Sequence, residues 1–142
     1  MEELVTEFWE ALLEKNTKLL REFYSPDAIT FGSQSQGSES GASAASRRAI
    51  EYFGEQMKLT IQLGAVRVQT INLQAAIASY TFSFSAVETN KDGEPANVYE
   101  RIGSGRATQV FALDRVGIPR IVHEHFSTIP TARRTPDLQV GG

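Results

Sequence analysis

The chain has 142 residues, of which 41% are hydrophobic and 22% are charged, and this composition suits one soluble globular domain. Its net charge at pH 7 is -3 and it holds no run of lysines and arginines, so we predict no nucleic-acid partner. It has no cysteines, which excludes disulfides, thiolate metal sites and a cysteine nucleophile.

Two short helices are predicted at the N-terminus. Apolar residues recur at helical spacing over residues 2–13 and again over residues 19–24. Pro26 ends the second helix, because the residue before a proline avoids the helical region. The acidic start is not typical of a signal peptide, and no apolar run approaches the ~20 residues that span a membrane. We therefore expect a cytoplasmic protein with no membrane partner.

The pattern changes after Pro26. A short strand is predicted over residues 28–31, followed by a polar loop over residues 32–41 and a third helix over residues 42–58. From Leu59 onward the apolar period is two, which is typical of strands. The parity of this alternation shifts at Gly64, which indicates a bulge or bend there.

Three strands are predicted in the second half of the chain. The clearest covers residues 76–86, where alanine and aromatic residues alternate with serine and threonine. The next covers residues 96–114 and is expected to bend near Gly103 and Gly105. The last covers residues 120–127, and it holds both histidines of the chain.

The order of these elements predicts the fold class. Helices followed by strands that are joined by hairpin turns, such as the one at Asp92-Gly93, are the α+β pattern. We therefore predict one α+β domain over residues 1–130 and a polar C-terminal tail over residues 131–142.

Two parts of the sequence are similar to a known family. They are Phe8-Trp9 with residues 23–31 at the start, and residues 105–111 with the His-x-His-x-Ser phrase of residues 123–127 at the end. On these motifs the chain resembles the SnoaL-like branch of the nuclear transport factor 2-like superfamily, near the association domain of calcium/calmodulin-dependent kinase II. The resemblance implies a cone, in which a strongly curved antiparallel sheet wraps around three N-terminal helices. It also implies a pocket at the open end of the cone and a homodimer through the outer face of the sheet.

His123 and His125 are the candidate catalytic residues. Strand alternation puts them on one face and Glu124 on the other. Both histidines could reach one metal ion, but the spacing supplies no third ligand, so no metal site is predicted. Which face lines the pocket stays open between two sets. One is Ile121, His123, His125 and Ser127, and the other is Val122, Glu124 and Phe126.

The predicted pocket combines aromatic and polar side chains. Its ligand-binding candidates are Trp9, Tyr24, Phe31, Tyr80, Tyr99, Arg106, His123 and His125. Arg106 would bind an anion if it points inward, and it would pair with a neighbouring glutamate if it lies on the outer face. Arg101 has the opposite parity and is expected outside.

The predicted function is binding of a small molecule in this pocket without a cofactor. One alternative is an enzyme of the lyase, isomerase or hydrolase type that uses His123 or His125 as the proton carrier for a small organic substrate. Ketosteroid isomerase relatives use an aspartate just past the first strand, where residues 31–33 hold no acid, so that chemistry is not supported. The other alternative is a homo-oligomerisation module. The sequence names neither a ligand nor a reaction.

Overall fold

The helices precede a sheet that occupies most of the chain, and the computed structural model describes residues 1–31, 39–41, 57–89 and 95–134. Side chains are placed for residues 1–31, 41, 58–87 and 102–128. The helices are α1 (Glu2–Leu13) and α2 (Thr17–Glu22). The strands are β1 (Tyr24–Phe31), β2 (Glu39–Ser40), β3 (Met57–Leu63), β4 (Arg67–Asn72), β5 (Ala75–Thr89), β6 (Pro95–Leu113) and β7 (Pro119–Arg134). Neither helix in the described ranges could span a membrane.

Helix α1 has the predicted boundaries, because its apolar residues form one continuous stripe. The stripe is buried and consists of Val5, Phe8, Trp9, Ala11 and Leu12. Acidic side chains in the first turn favour the helix, since they lie near the positive end of its dipole.

Helix α2 is shorter than predicted. Asn16 caps it by accepting a hydrogen bond from the Leu19 N–H at 3.1 Å, and the helix ends at Glu22. Tyr24, which the periodicity placed in this helix, begins β1 and pairs with Ile121 of β7. Strand pairing therefore overrides a helical pattern, and it turns the Tyr24 side chain into the interior.

The strands form one mixed sheet in the order β2-β1-β7-β6-β5-β3, with β4 pairing the other half of β5. Strand β1 runs parallel to β7, while the other described pairs are antiparallel. The α+β fold class is confirmed. The sheet was predicted to be antiparallel, but the β1–β7 pair makes it mixed. The parallel pair brings the start of the chain next to its last strand.

The predicted irregularity at Gly64 is confirmed as the break between β3 and β4. The Gly64 N–H donates to the Thr81 carbonyl oxygen at 2.8 Å. A Cβ atom at Gly64 would lie 2.6 Å from Thr81 Oγ1, so a side chain there would force the two strands apart. The chain thus passes from β3 to β4 along the same edge of β5, through residues 64–66, without a turn.

Several predicted boundaries differ from the structure. The third helix, predicted over residues 42–58, lies outside the described residues except at its end, where residues 57–58 belong to β3. Strand β1 begins four residues before the predicted strand. Strand β7 continues to Arg134 and includes the first residues of the predicted tail, because it keeps pairing with β6 as far as Glu100.

Aromatic side chains join α1 to the inner face of the sheet. The Trp9 ring lies 4.9 Å from the Phe82 ring and 5.8 Å from the Phe126 ring, measured between centroids. Gly105 on β6 makes room for this packing, since a Cβ atom there would lie 2.3 Å from Phe82 Cζ. The helix and strands β5–β7 therefore enclose an apolar interior, and the candidate site lies within it.

Candidate functional site

A bulge in the last strand decides which side chains enter the interior. The β6–β7 register pairs Val110 with His123 but Phe111 with Ile121, so Val122 is an extra residue without a partner of its own. The bulge puts two residues between Ile121 and Glu124, and yet both side chains are buried. The inner set is thus Ile121, Glu124 and Phe126, which matches neither of the two predicted alternatives in full.

Glu124 is the end point of a chain of buried hydrogen bonds. The Trp9 indole N–H donates to the Tyr80 hydroxyl at 2.8 Å, and that hydroxyl donates to Gln109 Oε1 at 2.8 Å. The Gln109 amide then donates to Glu124 Oε1 at 2.7 Å. Helix α1 and strands β5, β6 and β7 each contribute one of these residues.

Tyr24 of β1 approaches the same carboxyl group from the other side. Its hydroxyl donates to Glu124 Oε2 at 2.9 Å, with a longer contact to Oε1 at 3.2 Å. We call Trp9, Tyr24, Tyr80, Gln109 and Glu124 the polar cluster. Every donor in it is oriented so that the sequence of bonds ends on the carboxyl oxygens, which stabilises a negative charge at that position.

Burial shifts the protonation equilibria of the cluster. Loss of water around Glu124 raises its pKa to about 7, although the hydrogen bonds from Gln109 and Tyr24 act in the opposite direction. Burial also raises the pKa of the Tyr24 and Tyr80 hydroxyls, and the nearby Glu124 charge adds to that effect. Both tyrosines therefore remain donors, while Glu124 changes charge near neutral pH.

Three of the predicted ligand-binding residues meet in this cluster. Trp9, Tyr24 and Tyr80 are all buried, and each one takes part in the hydrogen bonds that lead to Glu124. Tyr99 lies on β6, and its side chain is outside the described set. Three of the five aromatic candidates thus lie together in the interior.

The other candidates whose side chains are described lie elsewhere, so their interior placement needs correction. His123, His125, Arg106 and Phe31 are exposed on the outer face of the sheet. The centroid of the Phe31 ring lies 5.9 Å from that of the His123 ring and 6.0 Å from that of the His125 ring. For the two histidines the bulge at Val122 is the physical reason, since it gives the inner positions to Ile121, Glu124 and Phe126. Arg106 lies between the buried Gly105 and Ala107 on β6, and Phe31 follows the buried Thr30 on β1, so strand alternation turns both outward. Within the described ranges, no group of three His, Asp or Glu side chains could hold a metal ion.

Neither Gln109 nor Glu124 was among the predicted site residues, although Glu124 belonged to one of the two alternatives for the inner face. Each has an apolar neighbour two positions away that shares its face, namely Phe111 for Gln109 and Phe126 for Glu124. That alternation was a usable signal for a buried polar side chain. The predicted histidine pair, in contrast, lies on the opposite face of the same strand.

A cleft of about 820 Å³ opens where α2, the start of β1 and the β6–β7 turn meet. Arg120 donates from Nε to Asp114 Oδ2 at 3.1 Å and from Nη1 to the Glu22 carbonyl oxygen. The Ile118 N–H and Arg120 together lower the pKa of Asp114. These two side chains are committed to holding the turn, so this cleft is a weaker candidate than the interior.

A family model described as a SnoaL-like domain matches residues 1–132. The chain belongs to the SnoaL-like family. The resemblance seen in the sequence is therefore confirmed over nearly the whole SnoaL-like chain. A comparison with curated protein sequences finds no match.

Solved structures similar to this SnoaL-like domain confirm the nuclear transport factor 2-like fold. A nuclear transport factor 2-like superfamily protein from Salmonella enterica serovar Typhimurium is 24% identical, with a TM-score of 0.70, and the match covers 92% of this chain and 89% of that one. The association domain of C. elegans CaMKII is 16% identical, with a TM-score of 0.65 and coverage of 88% and 90%. A hexachlorocyclohexane dehydrochlorinase is 11% identical, with a TM-score of 0.71 and coverage of 92% and 86%. Identities this low establish the fold alone.

We expect the substitution Glu124→Gln to change how stability depends on pH. Burial raises the pKa of Glu124 to about 7 in the native state, whereas an unperturbed glutamate has a pKa of 4.5. The native state therefore binds the carboxyl proton more tightly than the unfolded state does. The stabilisation from binding this proton is complete below about pH 4.5. As the pH rises through 7 it is lost, and the free energy of unfolding falls by roughly 3 kcal/mol. In urea unfolding, the wild type should lose stability relative to Glu124→Gln across this range.

Glu10→Gln is the matched control, because Glu10 is an exposed acid on α1. Its unfolding free energy should follow that of the wild type at every pH. Parallel curves for the wild type and Glu124→Gln would show that the buried carboxyl titrates like an ordinary glutamate.

Proposed function

We propose that this SnoaL-like domain binds a small, mostly apolar organic molecule in the interior of the cone, against the polar cluster. One observation carries the proposal. The Glu124 carboxyl is 3% exposed, and its partners among the described side chains, Tyr24 and Gln109, are both neutral.

Such a carboxyl group is expensive to bury. A charge taken out of water is destabilising unless a cation compensates it, and an apolar residue of similar volume would serve folding as well or better. Strongly perturbed carboxyl groups are concentrated at functional sites for this reason. Binding sites for small molecules also have the same general composition, with apolar walls and a few placed polar groups.

The surroundings of the cluster fit an apolar ligand. Phe82, Phe84 and Phe126 are buried on the inner face, and Phe8 and Trp9 face them from α1. A solved structure of the same fold is a hexachlorocyclohexane dehydrochlorinase, which is named for a small apolar molecule. That similarity supports the size and character of the proposed ligand, and it gives no information on its identity.

Native mass spectrometry of gently purified protein tests this function. We expect excess mass above that of the chain on the wild type and on the control Glu10→Gln, and clearly less on Glu124→Gln, because only the last variant alters the interior. The emission of Trp9, the single tryptophan, should shift when small apolar molecules are added, since its indole belongs to the cluster. Bare chain in all three proteins, together with no shift of Trp9 emission across a library of such molecules, would contradict the proposal.

A second candidate is an enzyme that transfers a proton within the same site. One observation favours it: a carboxyl whose pKa is raised to about 7 can both accept and donate a proton at neutral pH. In this form the proton carrier is Glu124 and not a histidine, because His123 and His125 lie on the opposite face of β7. In a lyase or isomerase reaction on a small organic substrate, Glu124 would be the group that takes up and returns the proton.

We also propose that a second copy of the chain covers the outer face of the sheet. Ile29 is 42% exposed and Phe31 is 38% exposed, and the β1–β7 register places them beside His123 and His125. We call these four residues the outer patch. An exposed group of large apolar and aromatic side chains marks an interaction surface. The C. elegans CaMKII domain of the same fold is named for association, which supports a partner of the same kind.

The substitution Phe31→Glu should weaken this dimer, because it places a charge at the centre of an apolar contact. Light scattering coupled to size exclusion should report a dimeric mass for the wild type and a shift toward the monomer for the variant. Leu73→Glu is the control, since Leu73 is 97% exposed in the β4–β5 turn, away from the outer patch. A monomeric wild type, or equal dimer fractions in both variants, would contradict the proposed interface.

A further inference from the structure

Thr30 carries a hydroxyl group that the polar cluster does not use. The residue is 2% exposed, and its Oγ1 atom has no hydrogen-bond partner in the described part of the chain. An unpaired buried hydroxyl costs about 1–3 kcal/mol, and a valine of nearly the same shape would avoid that cost. Folding alone therefore gives no reason for a threonine at this position.

The register places this hydroxyl beside the buried carboxyl. Strand β1 pairs in parallel with β7, and Thr30 is the direct partner of Glu124. Adjacent strands lie about 4.8 Å apart, and partner side chains on them point to the same face. Both residues are buried while Ile29 and Phe31 are exposed, so Thr30 and Glu124 share the interior face.

The Glu124 carboxyl has unused hydrogen-bonding capacity. An ionised carboxyl group can accept about four hydrogen bonds. Two donors reach it among the described residues, the Gln109 amide and the single Tyr24 hydroxyl proton. The interior thus offers a free acceptor on Glu124 and, on the neighbouring strand, a hydroxyl that has not found a partner.

We propose that Thr30 Oγ1 and the Glu124 carboxyl together bind a hydroxyl group, an alcohol or a phenol, on an otherwise apolar ligand. This inference rests on the interior binding site proposed as the function, and it names the chemical class of the ligand. A hydroxyl group donates one hydrogen bond and accepts others, so it can donate to the carboxylate and accept from Thr30 at the same time.

Other polar groups fit this pair less well. A carboxylate ligand would be repelled by the Glu124 charge. An ammonium group can only donate, so it fits the ionised carboxyl group but not the protonated one. A ligand hydroxyl fits both states, because it can accept from the protonated acid and donate to Thr30 instead.

The apolar body of the ligand would contact the aromatic side chains next to this pair. Phe126 follows Glu124 by two positions on the same face of β7. The Phe8 ring lies 6.3 Å from the Phe126 ring and 6.0 Å from the Tyr24 ring, measured between centroids. Flat or ring-shaped ligands suit such walls.

Isothermal titration calorimetry with 4-ethylphenol and 4-ethylanisole tests the pair directly, because the two probes differ in whether their oxygen can donate. The wild type and Thr30→Ser should bind 4-ethylphenol about tenfold more tightly than 4-ethylanisole. Thr30→Val should bind 4-ethylphenol about tenfold more weakly than the wild type does, because the ligand oxygen loses its hydrogen bond with Thr30. The variant should still prefer 4-ethylphenol to 4-ethylanisole, since only the phenol can donate to Glu124. In ligand-free protein, Thr30→Val should also raise the urea midpoint of unfolding, since it removes an unpaired buried hydroxyl.

Three binding results would overturn the hydroxyl site. They are equal affinity of the wild type and Thr30→Val for 4-ethylphenol, tighter binding of 4-methylbenzylamine than of 4-ethylphenol, and no binding of 4-ethylphenol to the wild type at millimolar concentration. A lower urea midpoint for ligand-free Thr30→Val would overturn it as well, since the hydroxyl would then have a partner in the folded chain. The interior binding site itself is judged separately, by the mass retained on the wild type and lost from Glu124→Gln.

Discussion

Burial of the Glu124 carboxyl is the constraint on which the rest of this structure depends. The group is removed from water, which makes its charge unfavourable, and the hydrogen bonds from Gln109 and Tyr24 offset part of that effect. Gln109 is oriented in turn by Tyr80, and Tyr80 accepts a hydrogen bond from Trp9. Residues that are far apart in the sequence are therefore held in one geometry by the hydrogen bonds that lead to a single carboxyl group.

Three backbone features make that geometry possible. The bulge at Val122 turns Glu124 inward after Ile121 has already faced the core. The parallel pairing of β1 with β7 brings Tyr24 to the carboxyl from the other end of the chain. Gly105 lets the Phe82 ring approach β6, and this ring packs against Trp9 of α1. The outer face of the same strands is left with exposed aromatic and imidazole groups, which suits contact with a second copy.

Local periodicity in the sequence was enough to predict α1, the alternating face of β5 and the break at Gly64, because each depends on neighbouring residues alone. It was not enough for the site. Tyr24 continues a helical pattern and becomes a strand residue only through its pairing with β7, which is a tertiary contact. Glu124 was assigned to the correct strand, but the bulge at Val122 comes from the β6–β7 register, and an alternating pattern does not reveal one extra residue.

The titration of the Glu124 side chain tests this picture most directly. The carboxyl carbon can be followed by NMR as a function of pH in protein labelled with ¹³C-glutamate, with the signal assigned by its absence in Glu124→Gln. A midpoint near pH 7 is expected, because burial raises the pKa to about 7. A midpoint near the ordinary glutamate value of 4.5 would show that the carboxyl is open to water in solution, and it would contradict the buried polar cluster as the functional centre of the domain.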